Sequence, residues 1–253
     1  MNIYFPSNFF SRVIAGQLPP YLQENISFMP ASVITTKVMQ DDLSLGLIPT
    51  TDLIQHNELF VSGKFGISFE GSFCNSYLYY KKDEKKLDTV HLHGDISSLE
   101  ALFVKILFKE FYNTDIELKL AAGGSEALEN NSLVVGDLNM KDSSLFMGIS
   151  FAEEMIELVN LPFVNYVLAS KGDDMIEEFH TYLSEINEEV DIQPALSGFK
   201  FQISEDMKNY IVSSISSLVY KLDEQDIEGI TQLLRLPYYY GIIKDILEIK
   251  FIK

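Results

Sequence analysis

Residues 44–52 read SLGLIPTTD. The run SLGLI is a short apolar strand, and Pro49 closes it because proline cannot donate to a ladder. Thr50, Thr51 and Asp52 are each good N-cap residues, so a helix start follows at once. An apolar strand running straight into a helix N-terminus is the unit from which α/β sheets are built, and its junction offers free N–H groups at a positive dipole end.

The same junction recurs on both sides of this stretch. Residues 2–5 predict a strand ending at Pro6, followed by a helix over 9–18 that Pro19-Pro20 stops. Residues 89–93 alternate apolar and polar side chains and lead into SSLEALFVKILFKEFY at 97–112. There Leu99, Leu102, Phe103, Ile106, Leu107 and Tyr112 have helical spacing, with Ser97 or Ser98 as cap. Strands are also predicted at 32–38 (β-branched), within 59–80 (two or three, broken at Gly63, Gly66 and Gly71), at 115–121, at 132–135 (SLVV) and at 163–170. Short helices are predicted at 125–129 and 151–160, and KKDEKK at 81–86 reads as a charged exposed turn. Beyond Asp173 the pattern turns helical, over 174–190, 204–222 and 226–236, the last broken at Pro237, with a shorter run near 239–247.

Two blocks of strands and helices, one to about residue 80 and one over 87–165, predict an α/β fold with mainly parallel sheet in two lobes. The tail helices are expected to cover the first block. Lobe 1 is then 1–80 with 170–253, lobe 2 is 81–169, and the chain crosses near 77–81 and 167–171. A ligand cleft should lie between the lobes, at the carboxyl ends of the strands.

Composition narrows the function. The chain has 253 residues, 47% of them hydrophobic, enough for a substantial core. Thirty-seven acids against nineteen bases give a formal net charge of −18, which disfavours nucleic acid as a partner. No apolar run reaches the length of a membrane span, so no membrane partner is expected. The first twenty residues, MNIYFPSNFFSRVIAGQLPP, lack a basic start before an apolar stretch, so a cytoplasmic location is expected. Nothing in the sequence fixes the oligomeric state.

Common catalytic signatures are absent: no phosphate loop, GxGxxG, GxSxG or HExxH occurs. Cys74, the single cysteine, reads as a buried structural thiol. His91 and His93, two apart with Asp95 nearby, read as polar strand-end residues rather than metal ligands, so no metal and no cofactor is expected. Polar residues instead gather at strand ends: Asn8, Ser11 and Arg12 after the first strand, Thr50 and Thr51 after SLGLI, Ser72, Asn75 and Ser76 in a glycine-flanked turn, Ser97 and Ser98 after HLH, and Asn139 after SLVV. Singly these are helix caps. Together, at the same end of two sheets, they make a receptor for a small anion, and Arg12 could hold a carboxylate bidentately.

Several segments, in order, resemble a known family. Residues 45–52 (LGLIPTTD), Pro6-Ser7-Asn8, the turn 71–76 before YLYY, LVVGDL at 133–138, residues 151–169 with Leu161-Pro162-Phe163-Val164, and the tail's EGI at 228–230 and YYYG at 238–241 are similar to the menaquinone-biosynthesis family that contains chorismate dehydratase. That family has the two-lobe fold of type 2 periplasmic solute-binding proteins. The resemblance implies a lyase that removes water from chorismate to give 3-[(1-carboxyvinyl)oxy]benzoate. On that reading Asn8 and Ser76 bind or polarise the substrate, and Ser97 and Ser98 take a carboxylate. The family's Asp-x-Ser-Ser-Arg-Thr-Ser segment is His93-Gly94-Asp95-Ile96-Ser97-Ser98 here, without its arginine. The alternative reading keeps the same cleft without chemistry, as a solute-binding or sensing protein for a small organic anion.

Overall fold

The computed structural model describes residues 1–82, 87–121, 129–186 and 190–253, with backbone alone at 142 and 143. The predicted helix at 125–129 lies mostly outside the described residues, as do 83–86 of the charged turn and 187–189.

The chain opens with β1 (Asn2–Pro6), α1 (Phe9–Gln17), α2 (Pro20–Gln23), β2 (Ile26–Met29), α3 (Ala31–Gln40) and β3 (Ser44–Pro49). After a 3-10 turn over Thr50–Ile54 come β4 (Phe60–Phe69), β5 (Ser76–Tyr79), β6 (Thr89–Gly94), α4 (Ser98–Tyr112), β7 (Glu117–Leu120) and β8 (Ser132–Val135). A 3-10 stretch over Asp137–Met147 leads to β9 (Ile149–Ser150), α5 (Phe151–Val159) and β10 (Phe163–Ser170). The tail holds α6 (Asp173–Thr181), α7 (Gln193–Ser197), α8 (Glu205–Ser214), β11 (Leu218–Lys221), α9 (Glu224–Tyr239) and β12 (Lys250–Ile252).

Among the described residues the strands form two sheets, ordered β11-β4-β10-β3-β1-β2 with β12 beside β4, and β7-β6-β8-β5-β9. Both are mixed rather than mainly parallel. Parallel pairs link β1 with β2 and β3, β4 with β12, and β6 with β7 and β8. The first strand after each crossing, β5 in the second sheet and β10 in the first, runs antiparallel to its neighbours. A strand that enters a sheet from the other lobe comes in from the opposite end, so its direction is reversed.

The crossings differ from the sequence reading. Tyr77 and its neighbours pair within the second sheet, and Val167–Ala169 pair within the first. The chain passes between sheets at 70–75 and 160–162, where Gly71, Asn160 (φ +56°) and Pro162 allow the turn.

Four other expectations change. Residues 32–38 lie in helix α3, whose buried Ala31, Ile34, Thr35 and Val38 follow helical spacing. Burial of that stripe overrides the β-branched preference. The helix expected over 204–222 ends at Ser214, and Leu218–Lys221 turns back to pair with β4. Helix α6 stops at Thr181 instead of running to 190. Helix α9 continues through Pro237 to Tyr239, and the shorter helical run beyond it is replaced by turns and β12.

Helix α9 packs Ile230 and Leu234 with Val164, Val167 and Ala169 of β10 and Ile48 of β3. On the other face of the first sheet, Phe9, Phe10 and Val13 of α1 join Phe69, Phe73 and Tyr166. Among the described residues, no helix is long and apolar enough to cross a membrane.

Candidate functional site

The helices α1, α3 and α4 each begin where a strand of one sheet faces the other lobe. Asn8 caps α1, its Oδ1 accepting from Ser11 N at 2.9 Å. Ser97 caps α4 in a reciprocal box with Glu100, and both the Ser97 N–H (3.0 Å) and its hydroxyl donate to Glu100 Oε2. Such caps are the local reason these residues occur here.

Their side chains also meet between the sheets. The Tyr166 hydroxyl, fully buried on β10, is hydrogen-bonded to Asn8 and reached by Asn75 Nδ2 at 3.4 Å. Ser76 Oγ lies 3.5 Å from Glu100 Oε1. Asn8, Asn75, Ser76, Ser97, Glu100 and Tyr166 thus form a buried polar centre supplied by both lobes. Burial pushes the Glu100 carboxyl above the usual range, against the opposing pull of its Ser97 bonds. Burial likewise drives Tyr166 far above the usual phenol range, and the nearby Glu100 and Asp95 charges add to it.

A second cluster lies beside it. Thr51 Oγ1 is 2.7 Å from Ser98 Oγ, and Asp52 accepts from both the Ser98 and Thr35 hydroxyls. Arg12 Nη2 meets Asp137 Oδ2 at 2.6 Å, and Asp137 Oδ1 accepts from Phe9 N at 2.7 Å. The guanidinium lies 5.4 Å over the Phe199 ring. Asp95 accepts from Ala31 N with both oxygens, at 3.1 and 2.9 Å. Burial raises its carboxyl, and Asp137 adds to the rise. A cleft of about 520 Å³, lined by Ser7, Pro30 and Ser32 from one lobe and Gly94, Asp95 and Leu120 from the other, opens beside this carboxylate.

Three residues singled out by sequence stand apart from the centre. Thr50 ties β3 to β10 through its hydroxyl on Val164 O at 2.7 Å. Asn139 is saturated: it donates to Asn75 O, Val134 O and Gly136 O and accepts from Tyr79. Ser72 is exposed and faces Tyr210 of α8 at 3.5 Å. Cys74 is buried and held by Ser150 and the Ser76 carbonyl. His93 is buried, 3.3 Å from Ser132 Oγ. Among the described residues, no group of three His, Cys, Asp or Glu side chains stands ready to hold a metal ion.

Sequence reasoning passed over Glu100 and Tyr166. The SxxE box at 97–100 was available as a signal for Glu100, but it marks a cap and says nothing of a second lobe closing over it. Tyr166, on a strand buried along its whole length, carries no local signal.

This arrangement belongs to a recognisable class of architecture. The chain superposes on protein AF1704 from Archaeoglobus fulgidus with a TM-score of 0.66 and 13% identity, over 96% of this chain and 98% of that one. It superposes on an ABC transporter protein from Parabacteroides distasonis (TM-score 0.59, 12% identity, 100% and 98% coverage). A third match is the periplasmic aliphatic sulphonate binding protein SsuA from Escherichia coli (TM-score 0.52, 9% identity, 99% and 90% coverage). The chain therefore has the two-lobe α/β fold of type 2 periplasmic binding proteins. No family model matches the sequence, and neither does any curated protein sequence.

Proposed function

We propose that the chain binds a small organic carboxylate between its lobes and acts on it as a chorismate dehydratase-like lyase of menaquinone biosynthesis. The observation behind this reading is Glu100, buried with its carboxyl biased toward the protonated form and set among Ser76, Ser97, Asn8, Asn75 and Tyr166. Dehydration of chorismate breaks one C–O and one C–H bond; water leaves and the ring electrons become aromatic. Aromatisation drives the step, and one carboxyl can serve both halves of it: protonated, it gives its proton to the leaving hydroxyl, and the carboxylate left behind takes the proton of the breaking C–H bond, so the group ends as it began, with neutral donors orienting the ring. In this reading Glu100 supplies that proton, Asn8 and Ser76 polarise the substrate, and Arg12 and Ser98 receive carboxylates.

The test is ultraviolet spectroscopy of the protein with chorismate. Loss of the diene absorption and growth of a benzoate spectrum is the expected result, and Glu100→Gln should abolish it. The second reading, a solute-binding or sensing protein, is supported by the likeness in fold to the sulphonate binding protein. It predicts binding with no spectral change.

A further inference from the structure

Helices α1 and α4 have their own caps, Asn8 and Ser97. Each nevertheless receives an additional carboxylate from the opposite lobe. Asp137, following β8 of the second sheet, reaches Phe9 N and Arg12 on α1. Asp52, following β3 of the first, takes the Ser98 hydroxyl in the first turn of α4. Asp95, following β6 of the second sheet, bonds Ala31 N at the start of α3, whose own cap position is Pro30 and offers no side-chain acceptor. The partners are separated by 46 to 128 residues in sequence, so none is a local cap. At α1 Asp137 satisfies the Phe9 N–H, which Asn8, committed to Ser11 N, leaves open, and at α4 Asp52 takes a hydroxyl rather than a helix N–H; in both cases the bond also joins the lobes.

We propose that Asp137, Asp95 and Asp52 form a latch that holds the two lobes together without ligand, and that an entering carboxylate must displace Asp137 from Arg12. This rests on the carboxylate reading of the site. Arg12 is prepared for the role. It is stacked over Phe199, and Gly198 leaves it room, since a Cβ there would lie 2.6 Å from Nε. A carboxylate held by a guanidinium and a helix N–H makes charge-assisted bonds, the stronger kind. The chain thus supplies from within the anion that a ligand would bring. Losing one such bond shifts the ratio of open to closed forms toward open by about 10- to 150-fold. Because only the open form admits ligand, apparent affinity should tighten by up to the same factor.

The experiment compares the full chain with Asp137→Asn and Asp95→Asn by small-angle X-ray scattering without ligand, and by chorismate titration. Circular dichroism checks that each variant is folded, and Asp95→Asn, which leaves Arg12 untouched, stands in should Asp137→Asn not fold. A larger radius of gyration in the variants, with tighter chorismate binding by Asp137→Asn, is expected. Scattering identical to the wild type in both folded variants overturns the latch. Expanded variants that bind no chorismate, like a wild type that binds none, would leave the latch standing while removing the carboxylate reading.

Discussion

Thr51 Oγ1 and Ser98 Oγ stand 2.7 Å apart, one just after β3 of the first sheet and the other in the first turn of α4. This hydroxyl pair joins two lobes whose nearest covalent connection is at 70–75. Thr51→Val and Ser98→Ala should therefore not add. Each single variant loses the shared bond, so the double-mutant cycle should show coupling of about 0.5–1.5 kcal/mol in thermal or denaturant unfolding. Strict additivity would mean that the contact carries no energy.

Asn8 has two tasks that substitution can separate. Its Oδ1 caps α1, so Asn8→Ala should cost about 0.5–2 kcal/mol and lower the melting temperature by a few degrees. Asn8→Ser keeps a capping oxygen but loses the amide beside Tyr166. It should recover most of the stability while binding chorismate as weakly as the alanine variant. Recovery of binding along with stability would limit Asn8 to the cap.

Glu100 sets a sign for the pH dependence. Its folded value is raised, so between the ordinary carboxyl range and that value the folded chain keeps a proton that the unfolded chain has released. Stability must fall as pH rises through this window. Glu100→Gln has no such titration, so its stability relative to the wild type should improve from about pH 4 to pH 7. Urea midpoints at the two pH values measure the difference, and a constant gap would contradict the raised value.

His180 has the opposite sign. Ser62 Oγ accepts from Lys64 N and Phe65 N, so its own proton goes to His180 Nε2 at 2.7 Å. Burial, helped by the Lys64 charge, lowers this imidazole to about 4. Below about pH 6.5 the unfolded chain takes up a proton that the folded chain refuses, and stability falls as pH drops toward 4. The ring is partly open to solvent, which keeps the effect modest. His180→Gln should flatten this limb of a melting-temperature profile, and an unchanged slope would place the titration elsewhere.

Gly94 ends β6 immediately before Asp95. It adopts φ +89°, and a Cβ there would fall 1.9 Å from Val135 O. Gly94→Ala combines a disfavoured backbone with a backbone clash, and should cost about 3 kcal/mol or more. A variant as stable as the wild type would show that this strand end can rearrange freely.

How much of this was legible in sequence depends on how local the cause is. Pro19-Pro20, SLVV, Pro162 and the SxxE box act within a few residues, and the elements they bound, α1, β8, β10 and α4, stand close to where the sequence placed them. Helix α3 was misread because Ile34, Thr35, Thr36 and Val38 favour strands individually, while the face they bury has helical spacing. Strand β11 was hidden because Leu218–Lys221 continues an apolar pattern and becomes extended only by pairing with β4. At the candidate site, Asn8, Asn75, Ser76, Ser97 and Ser98 could be marked as polar residues at strand ends. That Arg12 answers Asp137, 125 residues away, is a property of the closed lobes and has no sequence neighbourhood.

Strand β10 lies between β3 and β4, in the interior of the first sheet, yet it follows every strand of the second sheet in the chain. During synthesis the second sheet can be completed from residues 76–150 alone, while the first waits with an empty slot between β3 and β4. Its closure depends on long-range pairing, the slow kind of contact. Tyr166 arrives with the strand that fills the slot, so the polar centre between the lobes cannot form until residues 163–170 have paired with both β3 and β4.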